Sequence, residues 1–295
     1  IMFSFLRYLV SISILIYLIN NYGIDIYTLI TNIEYTYLIL VLIISIFQYS
    51  LSAYRWMYIS SESGIEMSFS FCLRYYYIAS FINNVSPGGV IGDMYRIYYS
   101  KDNKHAAIKL GQSLQSVVFE RLSGQIMLFL IFIFSLSIYF LTNEKYVAFL
   151  YMLAPISVSM LIVYFSIKFF IMKRGYAKDL SQNFKKIFTG AIFWNHTIIS
   201  FFVVLSYIVI YIISAETLSI SIDYGAFFVF TPIVLFSMTL PVSIGGWGVR
   251  EATALLISFL LGLSSSASIN VAIMYGIFNL ICSVPGFYFL LTPRR

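Results

Sequence analysis

Asn84-Val85-Ser86-Pro87-Gly88-Gly89-Val90-Ile91-Gly92-Asp93-Met94-Tyr95-Arg96 and Leu240-Pro241-Val242-Ser243-Ile244-Gly245-Gly246-Trp247-Gly248-Val249-Arg250-Glu251 are two glycine-paired breaks in apolar sequence, each with charges close behind. Glycine and proline disfavour helix interiors, and a charge at the centre of a bilayer costs about 2.5–3.5 kcal/mol even on lenient insertion scales. Breaks and charges set together twice point to a built site. The alternative is that the glycine pairs only let helices pack closely, as small residues do in membranes.

The surroundings decide that the solvent is lipid. The chain is 60% hydrophobic and 10% charged, a balance that a soluble domain does not carry. Uncharged apolar runs occupy 37–54, 126–141, 147–167, 197–214 and 269–291. Each has, or nearly has, the roughly 17–25 residues that span a hydrocarbon core as a helix. A shorter run at 8–19 is followed by Asn20-Asn21-Tyr22-Gly23 with no small-residue cleavage pattern, so it reads as a retained first helix beginning near Phe3. The expectation is one integral membrane domain over residues 1–295, all-α and polytopic. Cys72 and Cys282 lie far apart in apolar surroundings and read as packing residues, and neither His105 nor His196 has a ligand cluster. No catalytic triad, metal motif or nucleotide loop is present, so the chain is not expected to be an enzyme or to need a cofactor.

Charge asymmetry sets the threading. With Arg7 cytoplasmic, the first helix exits into 20–34, a loop with Asp25 and Glu34 and no basic residue. The second helix, about 35–55, returns to a stretch bearing Arg55, Arg74, Arg96, Lys101, Lys104 and Lys109. Segment 69–99 is apolar but basic on both flanks, so it enters and leaves by the same face as a re-entrant hairpin with its tip at 86–89. Helices at about 110–141 and 147–171 lead out and back, to a basic loop with Lys168, Lys173, Arg174, Lys178, Lys185 and Lys186. A crossing at 187–214 then reaches a loop with Glu216 and Asp223. Segment 225–262 lacks basic flanks and reads as a second hairpin opening outside, before 269–291 returns inward. Of the 18 lysines and arginines, all but Lys145, Arg121 and Arg250 fall on the cytoplasmic side. Both termini are then cytoplasmic in a cell membrane. Attraction of basic loops to anionic lipid accounts for the net charge of +6, with no nucleic acid required.

Each half, about 3–141 and 147–291, then holds three transmembrane helices plus a re-entrant helical hairpin. An odd number of crossings inverts the second half relative to the first. Inverted repeats with broken helices place their site near the midplane where the repeats meet. The loops before the hairpins are loosely alike, Ile65-Glu66-Met67-Ser68-Phe69 against Ile220-Ser221-Ile222-Asp223-Tyr224.

A half-helix starting after each glycine pair points free N–H groups and a positive dipole end inward, which suits a phosphate. Asp93 lies four residues past Gly89 and Arg250 four past Gly246, so they are expected to face each other or a shared polar cavity. Glu120 and Arg121, about 100° apart on one helix, should pair with other elements, with Asp93, Arg96, Arg250 and Glu251 available. These charges either fix helix register as internal ion pairs or, through Arg121 and Arg250, bind an anionic head group. The tyrosines clustered at 75–77 and at Tyr95, Tyr98 and Tyr99 read as interfacial anchors, with lining of a head-group path as the lesser alternative, and Trp194 also reads as an anchor.

The chain resembles the lysylphosphatidylglycerol synthase transmembrane-region family, also called flippase-like domain proteins. The resemblance rests on Ser86-Pro87-Gly88-Gly89 with Gly92-Asp93 and Arg96, on Glu120-Arg121, and on Pro241-x-Ser243-x-Gly245-Gly246-x-Gly248-x-Arg250-Glu251, and it spans nearly the whole chain. It implies movement of aminoacylated phosphatidylglycerol between leaflets, or a link to glycolipid or polyprenyl-phosphate pathways. The synthases carry an aminoacyltransferase domain after the membrane part, whereas this sequence stops at Arg295, so synthesis of the modified lipid is not expected of it. The expected function is a flippase-like transporter of a phosphate-bearing lipid, which makes an anionic membrane lipid its partner. Ser86, Gly88, Gly89, Asp93, Arg96, Glu120, Arg121, Ser243, Gly245, Gly246, Arg250 and Glu251 form its binding site. The alternative is a non-transporting membrane subunit that anchors a glycosyltransferase or lipid-modifying enzyme.

Overall fold

The computed structural model describes residues 2–22, 24–31, 33–86, 89–100, 110–142, 188, 192–239 and 243–292. They form α1 (Met2–Tyr22), α2 (Ile26–Thr31), α3 (Tyr35–Glu62), α4 (Phe69–Val85), α5 (Ile91–Ser100), α6 (Leu110–Thr142), α7 (Ile192–Thr217), α8 (Tyr224–Ser237), α9 (Val249–Leu256) and α10 (Ser265–Leu291). No strand occurs among the described residues. The helix expected at 147–171, the basic loop after it, Lys145 and Gly88 lie outside them.

Four described helices, α3, α6, α7 and α10, are long and apolar enough to cross a membrane. At about 1.5 Å per residue they reach roughly 39–50 Å, more than a hydrocarbon core of about 30 Å requires. Their outer faces carry exposed apolar stripes, Ile39, Ile43, Ile46 and Phe47 on α3 and Leu130, Phe134, Ile138 and Leu141 on α6. Water would penalise such stripes and lipid does not, so this is a membrane protein. Several hydroxyls inside the helices are satisfied locally: Ser45, Ser135, Ser206 and Ser214 each donate to a carbonyl three or four residues back.

Between the long helices lie two pairs of short ones. Ser68 starts α4 by accepting the Phe71 N–H at 3.3 Å, and Asp223 starts α8 by accepting those of Gly225 and Ala226 at 2.8 and 3.2 Å. The two N-caps occupy matching places in the loosely similar loops of the sequence. After the break at 86–90, α5 folds back along α4: the Gly92 N–H donates to Asn83 Oδ1 at 2.8 Å, and the Tyr75 ring lies 5.9 Å from Tyr95 and 5.3 Å from Tyr99. These tyrosines therefore join the two arms of a hairpin, a packing role that reading them only as interfacial anchors missed. At about 15 and 12 Å, α5 and α9 are too short to cross.

The packing exchanges partners between the halves. The first hairpin arm α4 lies along α10, and the corresponding arm α8 lies along α6. The helices α3 and α7 pack on each other, and each touches both α6 and α10. The Arg74 guanidinium donates to the carbonyls of Phe289 and Thr292 at 3.0 and 2.5 Å, tying the start of α4 to the end of α10. Tyr211, Phe227, Phe230, Tyr275 and Phe278 are fully buried in the main apolar core, between α7, α8 and α10.

Candidate functional site

The break 243–248 folds as a tight turn, in which the Trp247 N–H returns to the Ile244 carbonyl at 2.8 Å. Gly245 has φ 53°, and a Cβ there would stand 2.6 Å from the Asn84 carbonyl oxygen, so only glycine lets the second tip rest on the first. Ser11 of α1 supports this turn by accepting the Ile244 N–H at 3.0 Å. Where the tips meet, a cavity of about 240 Å³ opens. It is lined by Gly89 and Gly245 from the tips, by Asp93, Arg96, Glu120, Arg121 and Arg55, and by Asn83, Asn84, Gln125 and several tyrosines.

The charges along its wall form one connected network. Glu120, 1% exposed, is paired with the Arg55 guanidinium and accepts from Arg96 at 3.3 Å and the Tyr76 hydroxyl at 3.4 Å. Arg96 also bonds Asp93 at 2.6 Å, and Asp93 in turn pairs with Arg121. The buried Arg96 guanidinium stacks between Trp56 and Tyr76, 4.9 and 4.6 Å from their ring centres, which stabilises a cation whose Nε and Nη1 form no hydrogen bond among the described residues. Arg55 is further held by the Ser200 hydroxyl at 3.1 Å, which meets Ser123 at 2.7 Å. Three guanidiniums thus face two carboxylates, leaving one positive charge. Arg121 carries the accessible one: its side chain is 41% exposed, against 5% or less for the other four.

Of the residues singled out in the sequence, Gly89, Asp93, Arg96, Glu120, Arg121 and Gly245 line this cavity. Ser86 ends α4, its N–H bonded to the Ile82 carbonyl, and Gly88 lies outside the described residues. Ser243 and Gly246 are buried in the second turn. The expectation that Asp93 and Arg250 face each other or a shared cavity is not met: they do not pair, and of the two only Asp93 lines this cavity. Arg250 pairs with its neighbour Glu251, lies 4.5 Å from the Trp247 ring centre and is 1% exposed. Gly276 makes room for it, since a Cβ there would stand 2.0 Å from Arg250 Nη2. Glu251 also accepts the Gly248 N–H at 2.6 Å, so a protein carboxylate already occupies the start of α9.

Arg55 corrects the sequence reading twice. The charge pattern puts it in the cytoplasmic stretch at the end of a helix, but α3 continues through Trp56-Met57-Tyr58-Ile59 to Glu62, and Arg55 is 4% exposed. The apolar residues beyond it were the signal that the helix goes on. Arg96, counted with it as cytoplasmic, is likewise buried.

The family model described as the lysylphosphatidylglycerol synthase TM region matches residues 4–286. No curated protein and no solved structure gives a significant match.

Proposed function

The chain belongs to the lysylphosphatidylglycerol synthase TM-region family, and on that footing we propose that it is a flippase-like transporter that moves a phosphate-bearing lipid between leaflets of the cell membrane. The head group enters the cavity between the two hairpin tips while its tails remain in the bilayer. One observation carries this reading: the cavity has an unbalanced positive charge, and Arg121, its accessible cation, is anchored through Nε to Asp93 while its remaining guanidinium nitrogens form no hydrogen bond among the described residues and suit a phosphate. Binding a mobile anion there completes the charge balance without displacing the ion pairs that stabilise the wall.

The exchanged packing of α4 on α10 and α8 on α6 supports a two-fold repeat, because a pseudo-two-fold axis carries each contact into the other, and its inversion follows from the odd number of crossings expected in each half. The short lengths of α5 and α9 support re-entrant hairpins. Rocking of one half against the other would open the cavity to each leaflet in turn. Arg250 and Glu251 serve this mechanism as the internal brace of the second tip.

The test is leaflet exchange of a labelled phosphate-bearing lipid in proteoliposomes. The protein accelerates exchange above the lipid-only rate, and Arg121→Gln, inserted in equal amount, returns it to that rate. Unchanged exchange in Arg121→Gln vesicles would remove the proposed phosphate contact.

A further inference from the structure

We infer that the head group this cavity accepts is a phosphate joined to a neutral, hydroxyl-bearing group, and not an aminoacyl ester. The inference rests on the lipid-binding reading above and concerns the rest of the same cavity. An aminoacylated head group brings one or two ammonium groups, and a charge that leaves water is costly unless it is paired, most strongly by a carboxylate. Only Asp93 and Glu120 supply carboxylates to the wall among the described residues, and both are already engaged, Glu120 by Arg55 and Arg96, Asp93 by Arg96 and Arg121. With the phosphate of the same lipid held by Arg121, an ammonium would find no uncommitted carboxylate among the described residues of the wall.

What faces the cavity beyond the charged wall is neutral and polar. Asn83 uses its Oδ1 on the Gly92 N–H, and its Nδ2 forms no hydrogen bond among the described residues. Asn84 donates its Nδ2 weakly to the Asn279 carbonyl at 3.4 Å, leaving Oδ1 for a hydroxyl donor. Gln125, one helical turn beyond Arg121 on α6, lines the cavity half-buried, and its amide forms no hydrogen bond among the described residues. Tyr207 and Tyr275 add aromatic surface beside these amides. Amides that both donate and accept suit hydroxyl groups, which do the same. A glycerol or a single sugar attached to phosphate offers this one chemistry from two sources.

The experiment is a titration of the purified full chain in detergent at about 0.15 M salt. The probes are dioctanoyl phosphatidylglycerol, a short-chain prenyl phosphoglucose, dioctanoyl lysyl-phosphatidylglycerol and unsubstituted prenyl phosphate. At least one hydroxyl-bearing probe should bind about tenfold or more tightly than the lysyl lipid, given the cost of placing like charges together. Which of the two binds more tightly identifies the source. Gln125→Ala should weaken the preferred probe by about three- to tenfold and leave prenyl phosphate unchanged. Gln125→Glu, which supplies the missing carboxylate, should raise affinity for the lysyl lipid. The inference is overturned if the lysyl lipid binds as tightly as both hydroxyl-bearing probes, or if Gln125→Glu leaves its affinity unchanged. Loss of that selectivity with Arg121 still required would sink this inference alone. If no probe responds to Arg121→Gln, the phosphate reading beneath it falls as well.

Discussion

Glu120 and Arg121 are sequence neighbours with opposite tasks. Their side chains leave α6 about 100° apart, so that both reach the cavity wall but Glu120 is enclosed by Arg55 and Arg96 while Arg121 stays accessible. Glu120 holds two buried arginines, and removing one member of such a network costs about 3–5 kcal/mol because the remaining charges stay buried. Glu120→Gln is therefore expected to lower the thermal unfolding midpoint in detergent markedly. Arg121→Gln should change it less, since Arg121 is the accessible member of its pair and Asp93 keeps Arg96. Equal losses in the two variants would mean that Arg121 is a structural member of the network.

The hairpin is the element that brings distant residues to one place. The glycine pairs and flanking charges marked both breaks in the sequence, and the loose match of Ser68 with Asp223 proves to be a shared N-cap. Partner choice was not legible there. Spacing from a glycine pair gives a residue's height along a half-helix but not its direction around it, so Asp93 and Arg250 were matched although each has a nearer partner. Arg55 escaped for a related reason: a charge at the end of an apolar run looks the same whether the helix stops or continues. If the second hairpin is re-entrant, cysteines at Ser221 and Ser264, before α8 and at the start of α10, react with an impermeant maleimide from outside intact cells, whereas one at Glu66 does not. Labelling of Ser221→Cys and Ser264→Cys from opposite faces would instead make the hairpin a full crossing.

At the scale of the whole molecule, the class of fold was open to reading because lipid imposes it: apolar length and basic asymmetry follow from bilayer thickness and membrane charge. The site depends on contacts between residues such as Asn84 and Gly245, far apart in sequence, and no local pattern encodes that approach. The central claim is that lipid head groups travel through the cavity at this junction. Gln125 lines that cavity without a hydrogen bond of its own among the described residues, so Gln125→Cys gives a handle there at little structural cost. The decisive measurement is the leaflet-exchange rate of a labelled phosphate-bearing lipid in Gln125→Cys proteoliposomes, before and after reaction with a negatively charged thiosulfonate and again after reduction. The account predicts that exchange falls to the lipid-only rate on modification and recovers on reduction. An unchanged rate with the thiol fully modified would contradict it.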